Sequence, residues 1–268
     1  MISKTDIKLI RSLAVKKYRT RHGLFVAEGE KIVSDMLRDV AFDKYWKIRS
    51  VYHTGDWIPP GKTTGRPELP IHRISDKELK QCSLLSTPNK VLAVVEIPDT
   101  TFSMDEIEQE ITLVLDAVRD PGNLGTIIRM AHWFGVNSII CSEDSVDLFN
   151  PKTIQSTMGS FLAVKVHYLN LADFLSRVKK NNRETVYGSY PDGENVYKLK
   201  PSPGTIIVMG NESTGIENRL DQFIDKKISI PSFSKARRPD SLNVAIAAGI
   251  ILSEFRRDQW PSVSTDGH

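Results

Sequence analysis

The sequence is poor in cysteine, with Cys82 and Cys141 as its two examples among 268 residues. They do not form a C-x-x-C pair, and two cysteines are too few for a disulfide framework or a cysteine-only zinc site. Free cysteine is among the residue types most often found inside proteins. We therefore expect two buried or half-buried free thiols.

Long apolar runs are also missing. No run approaches the roughly 20 residues that a membrane-spanning helix needs. The first residues, Met1 to Asp6, lack the apolar core of a secretory signal. We expect no membrane association and a cytoplasmic location, which fits a hydrophobic fraction of 40% and a charged fraction of 26%.

The familiar phosphate-binding motifs are absent too. There is no G-x-x-x-x-G-K-[ST], and Gly122 and Gly125 do not belong to a G-x-G-x-x-G. This argues against a nucleotide-dependent enzyme built on a parallel sheet. The six histidines show no metal-ligand spacing, so we also expect no metal site.

Positive charge is concentrated in two places, although the net charge is only +3. Separated basic clusters suit a phosphate backbone, and they also suit a solvated surface. Six residues of these clusters are candidate contacts to a nucleic-acid backbone such as that of RNA, namely Lys17, Arg19, Arg21, Lys235, Arg237 and Arg238.

The order of apolar segments indicates an α/β protein. From residue 111 onward, apolar strands alternate with helical segments, which predicts a mostly parallel sheet with helices on both faces. The first 100 residues mix helix and strand patterns, including one helix over 7–17 and a second over 30–38. The stretch from Pro98 to Thr101 reads as a linker. We predict domains at 1–98 and 109–260, a linker at 99–108 and a flexible tail at 261–268.

The candidate chemistry lies in loops, because open α/β sheets bind ligands beyond the carboxyl ends of their strands. In the first loop, residues 116–129, Asn123 suits a helix N-cap. Arg129 sits on an otherwise apolar helix and needs an anionic or carbonyl partner. That partner is either a neighbouring carboxylate or an RNA phosphate or ribose.

Two later loops complete the set. In residues 209–216, Gly210 and Gly215 flank Glu212; this pattern indicates either a ligand-approach loop or a tight turn with an exposed Glu. After Ile230-Pro231, the run Ser241-Leu242-Asn243-Val244 begins a helix predicted to extend to residue 257. Ser241 is its expected N-cap, with Asn243 in the first turn.

Together the three loops resemble the signature motifs of the SpoU or TrmH branch of the SPOUT methyltransferase superfamily, over about residues 111–257. Segment 155–160 also resembles a family element. The N-terminal part, with Phe25 to Gly29 and a strand at 91–96, is similar to an L30e-like substrate-binding domain. The motif positions are matched by Asn123, Gly125, Arg129, Gly210, Glu212, Gly215, Ile230-Pro231 and Ser241 to Val244.

The resemblance implies an S-adenosylmethionine-dependent RNA 2′-O-ribose methyltransferase, whose reaction leaves S-adenosylhomocysteine. It also implies a homodimer and a C-terminal trefoil knot. Knots are rare, and nothing in the composition indicates one. The implied catalytic residues are Arg129, Asn123, Glu212, Ser241 and Asn243. The implied cofactor contacts are Met209, Gly210, Ile230 and Leu242, with Ser189 as a weaker candidate.

Two points of chemistry qualify these implied roles. Arginine is always protonated in proteins, so we expect Arg129 to position a phosphate and stabilise a developing alkoxide rather than to act as a base. The segment between Pro231 and Ser241 is longer and more basic than the usual family loop. Its path therefore stays open.

Several alternatives remain. Ribosomal RNA is the first expectation, because the added N-terminal domain often accompanies rRNA enzymes in the family, and transfer RNA is the second. Base methylation occurs elsewhere in the superfamily. A non-catalytic RNA-binding or ribosome-assembly factor would be expected to carry a broken cofactor loop, whereas all three motifs are intact here.

Overall fold

The computed structural model describes residues 2–38, 45–60, 69–107, 111–181, 184–201, 204–234 and 241–259. The chain divides into two compact units that do not follow chain order. Unit 1 comprises Met1–Phe102, Arg119–Arg129 and Val146–Lys165, and unit 2 comprises Ser103–Val118, Met130–Ser145 and Val166–His268.

Unit 1 contains a four-stranded sheet in the order β1-β4-β2-β3. Strand β4 runs antiparallel to β1 and to β2, and β2 runs parallel to β3. Every residue of β1 is buried. The strands are β1 Leu24–Glu28, β2 Ile48–His53, β3 Ile71–Arg73 and β4 Val91–Glu96.

Four helices accompany this sheet: α1 Lys4–Ser12, α2 Lys16–His22, α3 Glu30–Arg38 and α4 Asp76–Cys82. The predicted helix over 7–17 is in fact two helices, because Val15 is extended (φ −102°, ψ 130°). Helix α3 matches its prediction. Helix α4 was not predicted, although the capping box of Ser75 and Glu78 is a sequence signal for its start.

An aromatic cluster joins the N-terminal segment of unit 1 to its segment 146–165. Phe25 of β1 lies 4.8 Å from Phe149 between ring centroids, and Trp46 lies 5.2 Å from Phe161. Aromatic rings bury more apolar area than other side chains. The cluster explains why residues 146–165, including helix α6 at Pro151–Thr157, belong to the same unit as the N-terminal sheet.

Arg19 corrects one sequence-based expectation. Its side chain is 2% exposed, and its guanidinium lies 2.6 Å from the Asp147 carboxylate. It also donates to the carbonyl oxygens of Leu13 at 2.8 Å and Ala14 at 2.9 Å. A buried guanidinium with these partners is not available to an RNA phosphate, so the predicted RNA contact at Arg19 is wrong in this structure.

Unit 2 is built on a six-stranded sheet in the order β10-β8-β9-β5-β6-β7. Strand β5 pairs in parallel with β6 and β9, and β8 pairs in parallel with β9 and β10. All residues of β5, β6 and β9 are buried, as expected for strands covered on both faces. The predicted α/β fold with a parallel sheet is confirmed.

The strands of this sheet are β5 Thr112–Leu115, β6 Ser138–Cys141, β7 Lys165–Tyr168, β8 Thr185–Asn195, β9 Thr205–Met209 and β10 Lys226–Ser229. The remaining helices are α5 Pro121–Trp133, α7 Leu171–Asn181 and α8 Val244–Arg256.

Two helix starts differ from the prediction. Helix α5 begins at Pro121 rather than near Asn123, and the Asn123 N–H donates to Asp120 Oδ1 at 2.9 Å. Proline suits a first helical turn because its missing N–H would have no intrahelical partner there. In α8, Asn243 rather than Ser241 is the N-cap; its Oδ1 accepts from Ala245 N at 3.0 Å and Ile246 N at 3.3 Å.

The two cysteines are buried and free, as predicted. Burial raises the pKa of the Cys82 thiol to about 11. The predicted tail at 261–268 lies outside the described residues. The domain boundaries and the knot stay predictions, and part of the predicted linker forms a 3₁₀ helix, Met104–Ile107. No helix in the described part of the chain is long and apolar enough to cross a membrane.

The ion pair of Arg19 and Asp147 yields a stability prediction. Asp147→Asn should lower the free energy of unfolding by about 3 kcal/mol, since it leaves a buried guanidinium without its counter-charge. Asp35→Asn is the control, because Asp35 pairs with Lys31 at the exposed surface of α3 and such pairs contribute less than about 1 kcal/mol. Urea unfolding followed by circular dichroism measures both, and equal losses would contradict the assignment.

Candidate functional site

Unit 2 brings the loops after β5 and β9 side by side. Leu115 pairs with Met209 in the parallel register, and the Asp116 N–H donates to the Met209 carbonyl at 2.9 Å. The parallel arrangement places both strand ends at the carboxyl edge of the sheet, where ligands bind in such folds. Met209, a predicted cofactor contact, is 2% exposed at this edge.

The loop after β9 is a closed turn. The Asn211 N–H donates to Gly215 O at 3.1 Å, and the Gly215 N–H donates back to Asn211 O at 2.9 Å. Gly215 has φ +70°, and a Cβ on Gly210 would overlap the Gly215 carbonyl carbon. Both positions therefore require glycine. Glu212, between them, is half-buried rather than exposed as a simple tight turn would have it.

The third predicted motif joins this loop. Ser241 Oγ donates to Glu212 O at 3.4 Å, and Asn243 then caps α8. Leu242, between them, is 46% exposed and presents an apolar side chain. Three of the predicted site residues in unit 2, Glu212, Ser241 and Asn243, thus belong to one connected stretch of backbone and capping contacts.

The turn after β5 contains a strained residue. Ala117 has φ 53°, in the left-handed region that costs a non-glycine residue about 1 kcal/mol. Its N–H donates to Ser142 Oγ at 2.9 Å, and its carbonyl accepts from Asn211 Nδ2 at 2.8 Å. The neighbouring Asp116 accepts from Glu217 N at 2.7 Å. Burial is the main cause that raises the pKa of Asp116.

Strand β8 makes an excursion at the same edge. Strand β10 pairs with Gly188 and then with Glu194, so residues 189–193 are looped out. The Tyr190 hydroxyl donates to Asp221, and the Lys227 ammonium lies 4.2 Å from the Tyr190 ring centroid. Ser189, the weaker cofactor candidate, stands at the start of this excursion.

Ile230, another predicted cofactor contact, directly follows β10 in unit 2 and is half-buried. The predicted residues Asn123, Gly125 and Arg129 lie on the part of α5 assigned to unit 1. A Cβ on Gly125 would overlap Ser156 Cβ and the Thr153 carbonyl, so α5 and α6 approach closely there. This contact explains why segment 155–160 accompanies the first motif. Arg129 is exposed, and among the described residues no hydrogen-bond or ion-pair partner is found for it. The carboxylate partner considered from the sequence is therefore not seen.

The predicted RNA contacts have three outcomes. Lys17 and Arg21 are exposed on α2. Arg19 is buried, as described above. Lys235, Arg237 and Arg238 lie outside the described residues.

Sequence reasoning missed Asp116, Ala117, Asn211 and Ser142. Asp116 and Ser142 directly follow the buried strands β5 and β6, and Asn211 comes two residues after the end of β9, which is a usable signal, whereas nothing in the sequence marks Ala117. Among the residues with described positions, no group of three His, Cys, Asp or Glu side chains is gathered that could hold a metal ion.

A parallel sheet with glycine-containing loops at its carboxyl edge is typical of a ligand-binding α/β domain. Comparison with known families shows which family this domain belongs to. Residues 110–253, more than half of the chain, match the SpoU rRNA Methylase family. Residues 4–93 match the MRM3-like substrate binding domain. The chain belongs to the SpoU rRNA methylase family.

Individual relatives agree with this assignment. A 23S rRNA (guanosine(2553)-2′-O)-methyltransferase of Bacillus subtilis is 28% identical over 250 residues, covering 93% of this chain and 95% of its own. A 23S rRNA (uridine(2479)-2′-O)-methyltransferase of Streptomyces viridochromogenes is 27% identical, covering 92% of this chain and 87% of its own. The AdoMet-bound rRNA methyltransferase of Sinorhizobium meliloti is 32% identical with a TM-score of 0.81, covering 97% of this chain and 98% of its own.

Proposed function

We propose that this protein transfers a methyl group from S-adenosylmethionine to a ribose 2′-hydroxyl of ribosomal RNA. The observation that carries the proposal is the closed loop of Gly210 to Gly215, joined through Ser241 to the capped start of α8. Full-length relatives named as 23S rRNA 2′-O-methyltransferases support the reaction and the RNA class. They act on a guanosine in one case and a uridine in the other, so the base stays open.

The carboxyl edge of unit 2 fits S-adenosylmethionine. Gly210 and Gly215 add no side chains to this edge, and such positions let a ligand approach the backbone closely. We assign cofactor binding to Met209, Gly210, Ile230 and Leu242, with Ser189 as a further candidate. When bound, the cofactor supplies a methyl group on a sulfonium and leaves as S-adenosylhomocysteine. Because a sulfonium is already activated, we assign no metal to the reaction.

Arg129 is the residue we assign to the reacting ribose. Its guanidinium is exposed and permanently charged, so it binds a phosphate oxygen next to the target nucleotide. It also stabilises the negative charge that develops on the 2′-oxygen as this oxygen releases its proton to solvent and takes the methyl group. Asn123 on the same helix, with Glu212, Ser241 and Asn243, holds the site by hydrogen bonds. The Oδ1 of Asn243 also caps α8, which fixes this residue at the start of the helix.

RNA binding is assigned to exposed basic side chains. Lys17 and Arg21 lie on α2 in the part of unit 1 that matches the substrate binding domain. Lys235, Arg237 and Arg238 extend the proposal to the segment before Ser241. Transfer RNA is the second candidate substrate, and we place the activity in the cytoplasm.

A digest experiment tests the reaction. Ribosomal RNA that lacks this modification is incubated with the protein and methyl-labelled cofactor and is then digested to nucleosides. The label should appear in a 2′-O-methylated nucleoside. Label in a methylated base, or on transfer RNA alone, would overturn the proposal.

Arg129→Ala in the same assay should lower kcat by about 100-fold or more, since removing one preorganised charge-stabilising donor costs that much in other enzymes. The affinity of this variant for S-adenosylhomocysteine, measured by calorimetry, should equal that of wild type. Arg177→Ala is the matched control, because Arg177 is exposed on α7, away from the predicted motifs. An Arg129→Ala variant as active as the control would remove Arg129 from the mechanism.

Salt dependence tests the RNA surface. Lys17→Ala and Arg21→Ala should each weaken RNA binding at all sequences and reduce the slope of log K against log salt by about one. Lys80→Ala on α4, also exposed, is the control. An unchanged slope in both test variants would place the RNA elsewhere.

We also propose a homodimer through α5 and α8. Trp133 is 85% exposed and Ile246 is 56% exposed, on two helices that adjoin where a Cβ on Gly249 would overlap Met130 Sδ. Arg256 fastens them further by donating to Phe134 O at 3.0 Å. Exposed large apolar side chains on adjoining helices mark interaction surfaces, and a second copy is the occupant we assign.

Ile246→Glu should convert the dimer to a monomer, since it places a charge in the interface, and glutamate suits the first turn of a helix. Analytical ultracentrifugation measures the mass. Ile58→Glu is the control, because Ile58 is 83% exposed in unit 1. A wild-type monomer, or an Ile246→Glu dimer of unchanged strength, would refute this interface.

A further inference from the structure

We propose that Asn211 is a positioning residue that ties the closed loop after β9 to the strained turn after β5, and that Ser142 supports the same turn from the other side. The inference rests on the proposed function, because its consequence is read in methyl transfer. Neither Asn211 nor Ser142 is among the positions that match the three sequence motifs.

The strained turn is held on both of its peptide groups. Ala117 keeps φ 53° while its N–H donates to Ser142 Oγ and its carbonyl accepts from Asn211 Nδ2. Strand β5 lies between β9 and β6 in the sheet, so one side chain reaches the turn from each neighbouring strand end. A left-handed alanine persists only where its surroundings impose it, and such strain concentrates at functional sites.

Ser142 is itself fixed. It is 7% exposed, its Oγ lies 2.9 Å from Ser145 Oγ, and it donates to Asp144 Oδ1 at 2.7 Å. Ser145, also buried, accepts from Val118 N at 3.2 Å. The end of β6 therefore holds two successive peptide groups of the turn with buried hydroxyls that have other partners of their own.

Asn211 performs two separable tasks. Its Oδ1 accepts from Ser213 N at 2.9 Å and closes its own loop, whereas its Nδ2 donates outward to Ala117. Aspartate has the same shape but no donor, so Asn211→Asp keeps the oxygen and removes only the outward bond. The new carboxylate oxygen would also face the Ala117 carbonyl oxygen, which is repulsive.

The turn at Ala117 affects the position of α5, which begins four residues later. From Val118 the chain enters α5 at Pro121, and α5 carries Asn123 and Arg129. A turn fixed at Ala117 limits the directions in which the chain can leave β5. Losing the tie widens that range, and small misplacements of a catalytic group reduce turnover strongly. The loop 210–215 keeps its own backbone bonds, so cofactor affinity is retained.

The experiment compares Asn211→Asp with Asn218→Asp, the same change at an exposed position in the following 3₁₀ helix. Asn211→Asp should lower kcat by about 10-fold or more. Its dissociation constant for S-adenosylhomocysteine should be unchanged, and hydrogen exchange in the peptide 116–124 should be faster. Asn218→Asp should match wild type in all three measurements.

Ser142→Ala gives a second route, because it removes the acceptor of the Ala117 N–H without touching the loop after β9. It should also lower kcat and leave cofactor affinity unchanged. Unaltered kcat in both variants would overturn the proposal, as would parallel losses of kcat, cofactor affinity and melting temperature. If wild type transfers no methyl group, the proposed function fails, while the exchange measurement still decides whether Asn211 holds the turn.

Discussion

The parallel pairing of β5 with β9 is the constraint on which the functional loops depend. It sets Leu115 opposite Met209, so the chain leaves both strands at the same edge and Asp116 meets the Met209 carbonyl. The side-chain contacts between the two loops are made at this shared edge, namely Asn211 with Ala117 and Glu217 with Asp116. A different register would separate these groups by whole residues, because parallel strands align their backbone groups at fixed spacing.

Local geometry at this edge serves backbone access rather than side-chain chemistry. Gly210 and Gly215 permit a turn so tight that a Cβ would collide, and Ala117 accepts a left-handed conformation that neighbouring side chains enforce. In the proposed function this fixed backbone, rather than a set of charged side chains, lines the cofactor site. In the proposed reaction the positive charge comes from Arg129, which is exposed on α5.

In unit 1, burial decides which basic residues of α2 are accessible to a ligand. Three basic residues of α2 look equivalent in the sequence, yet Arg19 is inside and paired with Asp147 while Lys17 and Arg21 are outside. The aromatic cluster around Phe25 and Phe149 closes the same part of the unit. Segment 146–165 therefore belongs to the unit whose residues 4–93 match the substrate binding domain, although the segment itself lies within the methylase match in the chain.

The sequence by itself determined the parallel α/β fold, because continuous apolar strands alternating with amphipathic helices have few other solutions. It also identified the three motif loops, since glycine and capping residues are read locally. Tertiary structure decided that Arg19 is buried and that Ala117 is held by Ser142 and Asn211. Those partners stand 128 residues apart for Arg19 and Asp147, and 94 apart for Asn211 and Ala117. Such contacts depend on strand order and packing, which no local pattern contains.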